Sequence, residues 1–328
     1  MSTAWPLACP RCRAPLGALR PPPVDVAGAA GHAAFDCAAC GASYPLDAHG
    51  VWDLLPPERA ARFNAFLDEY TAVRHAEGRA AEEPAFYRRL PDVPHDHPLA
   101  WQWRIRARSA ALLLDSLLPT LGPAPRVVDV GAGCGWLTRL LAQRGAQALA
   151  VDVSLDAGDG LGAMRHLDGG AAGWLPRLRA DFDRLPLVDA AADMVVFNAS
   201  LHYSPDIAET LREALRVLAP GSRSRLVIMD SPLYRRRVSG EAMVAERKAA
   251  YRARYGFASD ALGSAEFLVD EELVRLGESL GIVWRVRRPW YGLAWALRPV
   301  RARLRGRREP ARFAVVEGAL RRTQTGGG

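Results

Sequence analysis

RVVDVGAGCGWLTRLLAQRGAQALAVD, residues 126–152, decides how the rest of the chain is read. It opens with a β-branched run that ends on Asp129 and Val130, the pattern of a buried strand. Gly131, Gly133 and Gly135 follow at once, then a helical stretch from Trp136 to Gln143. A second apolar run, Ala148 to Val153, carries Asp152 near its end. Strand, glycine turn, helix and strand make a βαβ unit, whose tight turn lies at the carboxyl edge of a parallel sheet, where backbone can come close to a ligand. Glycine spacing separates the ligand classes. A dinucleotide site uses G-x-G-x-x-G to aim amides at a pyrophosphate. Here the third glycine comes one residue early, as G-x-G-x-G.

Downstream, Ala180-Asp181-Phe182 places a carboxylate beside an aromatic ring, and Asp193-Met-Val-Val-Phe-Asn198 reads as a further strand. Leu218-Ala-Pro-Gly221 is a turn before another strand, Ser224 to Met229. Together with the glycine loop, these segments resemble the motifs of class I S-adenosylmethionine-dependent methyltransferases, in the family's order, over residues 99–230. The resemblance implies an α/β fold with a Rossmann-like seven-stranded sheet, and methyltransferase activity with S-adenosylmethionine as cofactor. It assigns Asp129, Gly131, Ala132, Gly133 and Gly135 to the cofactor loop. It further places Asp152 on both ribose hydroxyls beside Val153, Asp181 on the adenine amino group, Phe182 against the ring and Asn198 at the end of the fourth strand.

At 328 residues the chain can bury a full core and carry more than one domain. No apolar run reaches the length of a membrane span, and Met-Ser-Thr-Ala-Trp-Pro is no secretory leader, so a cytoplasmic protein is expected. In that compartment five cysteines read as metal ligands or free thiols. The net charge of +7 is local: residues 284–328 hold twelve arginines against Glu309 and Glu317, a balance of +10, leaving about −3 for everything before them. Lys248 is the single lysine.

Residues 1–55 read as a separate unit. Cys9-Pro-Arg-Cys12 and Cys37-Ala-Ala-Cys40 are two C-x-x-C knuckles, separated by a loop with Pro21-Pro22-Pro23. Two such pairs suit one structural, tetrahedral Zn2+ with no open position. With Cys40-Gly-Ala-Ser-Tyr-Pro-Leu and Gly50-Val-Trp-Asp-Leu-Leu, they resemble zinc ribbons fused to, or partnering, methyltransferases. His32 and His49 are expected on the surface. Residues 56–98 read as a linker with a helix near Glu58–Ala76, its His95-Asp96-His97 triplet held between prolines. Residues 99–328 form the methyltransferase domain, entered by a long helix from which the resemblance turns Trp103 or Arg104 to the cofactor. The domain carries a substrate-cap insertion, 231–268, and a basic Trp/Arg-rich insertion, 289–310. Ile282–Val286 and Arg312–Val316 are expected to close the sheet as a hairpin, and Gly326–Gly328 to be disordered.

Methyl transfer from a sulfonium needs chiefly in-line placement of the acceptor, because the leaving group is already activated. The donor site is therefore legible and the acceptor is not. Base-amine methylation in the nucleic-acid enzymes uses Asn/Asp-Pro-Pro-Tyr/Phe after the fourth strand. This chain has Asn198-Ala-Ser-Leu-His202-Tyr. Pyrimidine carbon-5 chemistry needs a nucleophilic cysteine, and Cys134 lies inside the glycine loop. His202 is the candidate catalytic residue, its unperturbed pKa suiting proton removal near neutral pH; Tyr203 and Tyr234 are weaker candidates. The expected acceptor is a small or lipid-like molecule. The alternatives are an rRNA or tRNA base methyltransferase and a non-catalytic scaffold.

The 289–308 segment repeats Trp290, Leu293, Leu297, Val300 and Leu304 at three- and four-residue steps among arginines. This pattern fits peripheral contact with an anionic membrane at the inner face, RNA binding, or a helix packed on the enzyme's own sheet. Pro299 should split it into two short helices or kink it.

Overall fold

The computed structural model describes residues 4–21, 33–81, 83–168 and 173–320. Pro22, Pro23, His32 and the Gly326–Gly328 tail lie outside the described residues. The ribbon contributes β1 (Trp5–Ala8), β2 (Pro15–Leu19), β3 (Ala34–Asp36), β4 (Ser43–Pro45) and β5 (Trp52–Asp53). Then come β6 (Arg126–Val130), β7 (Gln147–Asp152), β8 (Arg177–Arg179), β9 (Met194–Asn198) and β10 (Arg225–Met229). The remaining strands are β11 (Leu233–Tyr234), β12 (Leu268–Val269), β13 (Ile282–Arg287) and β14 (Val315–Leu320).

The main sheet runs β13-β14-β10-β9-β6-β7-β8-β5. Strands β10, β9, β6, β7, β8 and β5 are mutually parallel, and the β13–β14 hairpin joins β10 antiparallel. Seven of these strands are the expected sheet; β5 is an added eighth on its edge. The central strands are buried along almost their whole length because both of their faces are covered. Glu317 on β14 accepts from Arg225 and Arg287, each at 2.9 Å, and so ties three neighbouring strands together. The last strand begins three residues later than the apolar run suggested, at Val315.

The ribbon is not a detached unit. Trp5, Leu7, Cys9, Leu19, Cys37, Tyr44 and Leu46 share one hydrophobic core with Leu185, Leu187 and Leu211 of the sheet domain. Ala8 N–H donates to the Pro186 carbonyl at 3.1 Å, and Leu7 bridges Leu187. Both knuckles end on a left-handed residue, Gly41 (φ 71°) and Arg13 (φ 67°). Arginine is an uncommon choice there. It is held by two 2.8 Å bonds from its guanidinium to buried Glu213 on helix Ile207–Val217.

Residues 56–98 carry the expected helix, in two parts, Pro57–Ala60 and Asn64–Ala76, and a further one, Pro84–Arg89. They fold back over the carboxyl ends of the strands. No helix among the described residues is long and apolar enough to cross a membrane.

Candidate active site

Strand order reverses at β6, between β7 and β9, and a cavity opens beyond the carboxyl ends there. Gly131, Gly133 and Gly135 all have positive φ, at 75°, 54° and 71°. At Gly131 a Cβ would stand 2.2 Å from the Ser200 Cβ, so no other residue fits without displacing the next loop. Asp152 is anchored by the Gly133 and Ser154 amides, each donating at 2.8 Å. A carboxylate has about four acceptor positions; the two left over suit a pair of vicinal hydroxyls. Burial raises its pKa, with those amides opposing the rise.

Gly131, Ala132, Gly133, Asp152, Val153, Asp181, Phe182, Asn198 and His202 all line this one cavity. Asp129 and Gly135 do not. Asp129 is fully buried behind the loop, where it accepts from Thr138 Oγ1 at 2.8 Å and so fixes the helix to the strand. Burial pushes its pKa up to about 7. Gly135 is the N-cap of helix Trp136–Gln143. Asp181 lines the wall, but its Oδ2 accepts from Arg59, at 2.8 Å, and from Arg62. Any adenine contact therefore falls to its other oxygen. Phe182 packs edge-on against Phe197.

The opposite wall comes mostly from segments to which sequence reading assigned no role. Phe63, Phe66, Leu67, Tyr70, Arg74 and Arg79 reach in from residues 56–98, with Leu262 from the cap and Phe313 from beyond the basic insertion. Phe66, Tyr70 and Tyr203 form an aromatic cluster. On the entry helix Trp103 faces the cavity as expected, edge-on to Trp136, but its charged companion is Arg106; Arg104 is exposed. Arg74 is ion-paired with Asp159, whereas Arg106 forms no ion pair among the described residues and only lies over the Trp103 ring. The spacing of Phe66, Tyr70 and Arg74 along one helix face was the available clue.

His202 is buried, with Nδ1 3.1 Å from Ser231 Oγ. Burial, reinforced by Arg106 and Arg74, pushes its pKa down to about 3. It is a neutral imidazole near pH 7 and a poor proton acceptor, contrary to the expectation of a near-neutral base. Asp230, at the carboxyl end of β10, takes the opposite direction: burial lifts its pKa to about 6. Its Oδ1 accepts from Ser109 at 2.6 Å, while buried Oδ2 has no partner among the described residues and the residue lines the cavity. Asp230 and Ala199, at the ends of adjacent strands, both have positive φ (56° and 54°), strain of the kind stored at functional sites. Cys134 lines the cavity as a thiol, its pKa pushed up to about 12 by burial, so it is no nucleophile. Tyr234 is buried outside the cavity, edge-on to Phe267.

The sulfurs of Cys9, Cys12, Cys37 and Cys40 lie within 4.8 Å of one another. Cys9–Cys40 and Cys12–Cys37 are 3.7 and 3.5 Å apart. Four thiolates around tetrahedral zinc, each at about 2.3 Å, stand about 3.8 Å from one another. The cluster is compatible with a zinc ribbon. The His95–His97 triplet joins no metal-ligating group among the described residues; His97 Nδ1 instead accepts from the Leu99 amide.

Residues 128–226 match the methyltransferase domain family. Over 131 residues the chain is 34% identical to a demethylmenaquinone methyltransferase of Corynebacterium urealyticum, covering 40% of this chain and 50% of that one. Over 97 residues it is 35% identical to a malonyl-[acyl-carrier protein] O-methyltransferase of Hahella chejuensis, covering 30% of this chain and 34% of that one. The chain thus spans half or less of the length of these curated relatives. Among solved structures, a chain from the complex of the Haloferax volcanii Trm112 methyltransferase activator with a methyltransferase superposes with a TM-score of 0.52 at 16% identity. That likeness covers 80% of this chain and all of that one, and it shows the fold. Strand order, glycine loop and matched segment together mark residues 128–226 as a methyltransferase domain.

Proposed function

We propose that the protein methylates a small-molecule or lipid-like acceptor from S-adenosylmethionine, in the cavity above β6, β9 and β10. The observation that carries this reading is the pairing of an anchored Asp152 and a glycine-only loop with an aromatic wall opposite. When bound, the cofactor supplies an activated methyl on a sulfonium. Asp152 would hold its ribose, Phe182 its ring, and Arg106, free of carboxylate partners among the described residues, its carboxylate. Phe66, Tyr70, Leu262 and Phe313 would enclose the acceptor and exclude water. Two curated relatives are named for demethylmenaquinone and for malonyl-[acyl-carrier protein], which supports a small-molecule or lipid-like acceptor. Where the acceptor gives up a proton, Asp230 would take it on Oδ2, with Ser109 fixing the carboxylate. His202 would act as a neutral hydrogen-bonding group.

Calorimetric titration with S-adenosylhomocysteine tests the donor site. The wild type should bind, and Asp152→Ala should lose about 1.5–3 kcal/mol, roughly ten- to a hundredfold. Absence of binding by the wild type overturns the reading. Transfer of labelled methyl into the organic-soluble fraction of a deletion-strain extract supports the acceptor class; label confined to RNA replaces it with base methylation.

A further inference from the structure

We infer that the 289–308 insertion is a foot that docks the protein on an anionic lipid bilayer. It forms two short helices, Leu293–Ala296 and Arg298–Leu304, which break at Leu297 with Pro299 in the first turn of the second. Packing on the enzyme's own sheet would bury the apolar stripe. Instead Trp290, Leu293, Leu297, Val300 and Leu304 are 38% to 81% exposed. The four aliphatic residues recur at steps of four, three and four, one helix-like face. Arg301, Arg303, Arg305 and Arg307 flank it, all exposed and in no ion pair among the described residues, whereas Arg308 and Arg312 are neutralised by Glu246 and Asp270. An exposed apolar face bordered by unpaired arginines is complementary to acyl chains bordered by anionic headgroups.

The same features disfavour RNA. Nucleobases stack on aromatic faces, but the Trp295 ring is stacked on Phe313 at 5.4 Å and capped by Arg298 at 3.8 Å. What remains exposed is mostly aliphatic. The foot is also joined to the cavity. Phe313, beneath Trp295, lines it, and the Tyr291 hydroxyl is 2.9 Å from Ser109, the donor to Asp230. Docking would hold the cavity beside the headgroup layer. The docking inference stands whether or not the methyl-transfer reading does.

The test is sedimentation of the full chain with vesicles of equal parts phosphatidylglycerol and phosphatidylcholine, against phosphatidylcholine alone, at low and high salt. The wild type should bind the anionic vesicles, and far less at high salt or on neutral ones. Joint replacement of the four arginines by glutamine should weaken binding roughly a hundredfold or more. Leu293→Ser with Leu304→Ser should weaken it at least tenfold. Both sets lie on exposed positions, so affinity for S-adenosylhomocysteine should hold in the same preparations, which separates docking from donor binding. Failure of the wild type to bind anionic vesicles overturns the inference. Retention on an rRNA fragment but not on vesicles also does, and so does vesicle binding that ignores the leucine changes.

Discussion

The two walls of the cavity are built in opposite ways. The donor wall is local: Gly131 to Val153 supplies loop, helix and the anchored Asp152 from one βαβ unit, held by backbone hydrogen bonds. The acceptor wall is assembled from residues 63–79, 202–205, 230–232, 262 and 313. Its chemistry exists only once these are brought together. Damage to the donor wall should therefore be felt as lost cofactor affinity. Damage to the acceptor wall should be felt as lost turnover with the cofactor still bound.

The largest effect should come from the ribbon, which feeds the acceptor wall through β5 and the helices that follow. Structural zinc contributes about 10 kcal/mol of binding energy to folding. Cys37→Ser, or chelation, should then lower the main thermal transition of the whole chain by roughly 10 °C or more, because the ribbon shares the core of the sheet. A separate small transition, with the main one unmoved, would show that the ribbon is independent after all.

Gly131→Val strikes the donor wall alone. A β-branched residue at φ 75° must also displace Ser200, at a cost of about 3 kcal/mol. Affinity for S-adenosylhomocysteine should fall a hundredfold or more by calorimetry. An unchanged affinity would remove the glycine loop from the site.

Asp230→Asn should do the converse. Turnover should drop about a hundredfold, the scale of a lost general base, with cofactor affinity within threefold of wild type. The wild-type rate should rise through pH 6, where this carboxyl ionises, and the variant should lose that limb. A variant with the wild-type pH profile would leave Asp230 as a positioning residue.

The smallest effect concerns His202. Its folded pKa, near 3, lies below the free value of 6.5, so the unfolded chain takes the proton first. The associated stability is whole above pH 6.5 and is lost as pH falls toward 3, about 2 kcal/mol by pH 5. Buried Asp129 and Asp230, with raised pKa values of about 7 and 6, run the other way: they favour the folded state at low pH and lose that contribution as pH rises. Only a difference isolates the histidine. Denaturant unfolding of wild type and His202→Gln should show the substitution costing about 2 kcal/mol less at pH 5 than at pH 7. An equal cost at both would mean that the ring is hydrated.

Legibility in the sequence follows the same division. β6, helix Trp136–Gln143, β9 and β10 fall within a residue of where apolar runs and glycine turns put them. Each is short, its pattern contiguous and its far side buried, so local pattern and burial agree. Beyond their one helix, residues 56–98 read as a linker because their apolar residues are sparse and broken by prolines and charges. What orders them is contact with the strand ends: Arg59 and Arg62 on Asp181, Arg74 on Asp159, and the Tyr87 hydroxyl on the Gly158 carbonyl at 2.7 Å. None of these pairs is near in sequence.

Residue order alone was enough for the βαβ unit, the glycine loop that could take a cofactor and the four cysteines able to hold a metal. All of these depend on residue type at fixed short spacing. Only the tertiary structure decided which side chains titrate and what faces the acceptor. His202 and Asp230 exchange their ordinary tendencies because burial, Arg74 and Arg106 act on one while burial and Ser109 act on the other. Those neighbours lie about a hundred residues away along the chain, and electrostatic energy depends on distance through space.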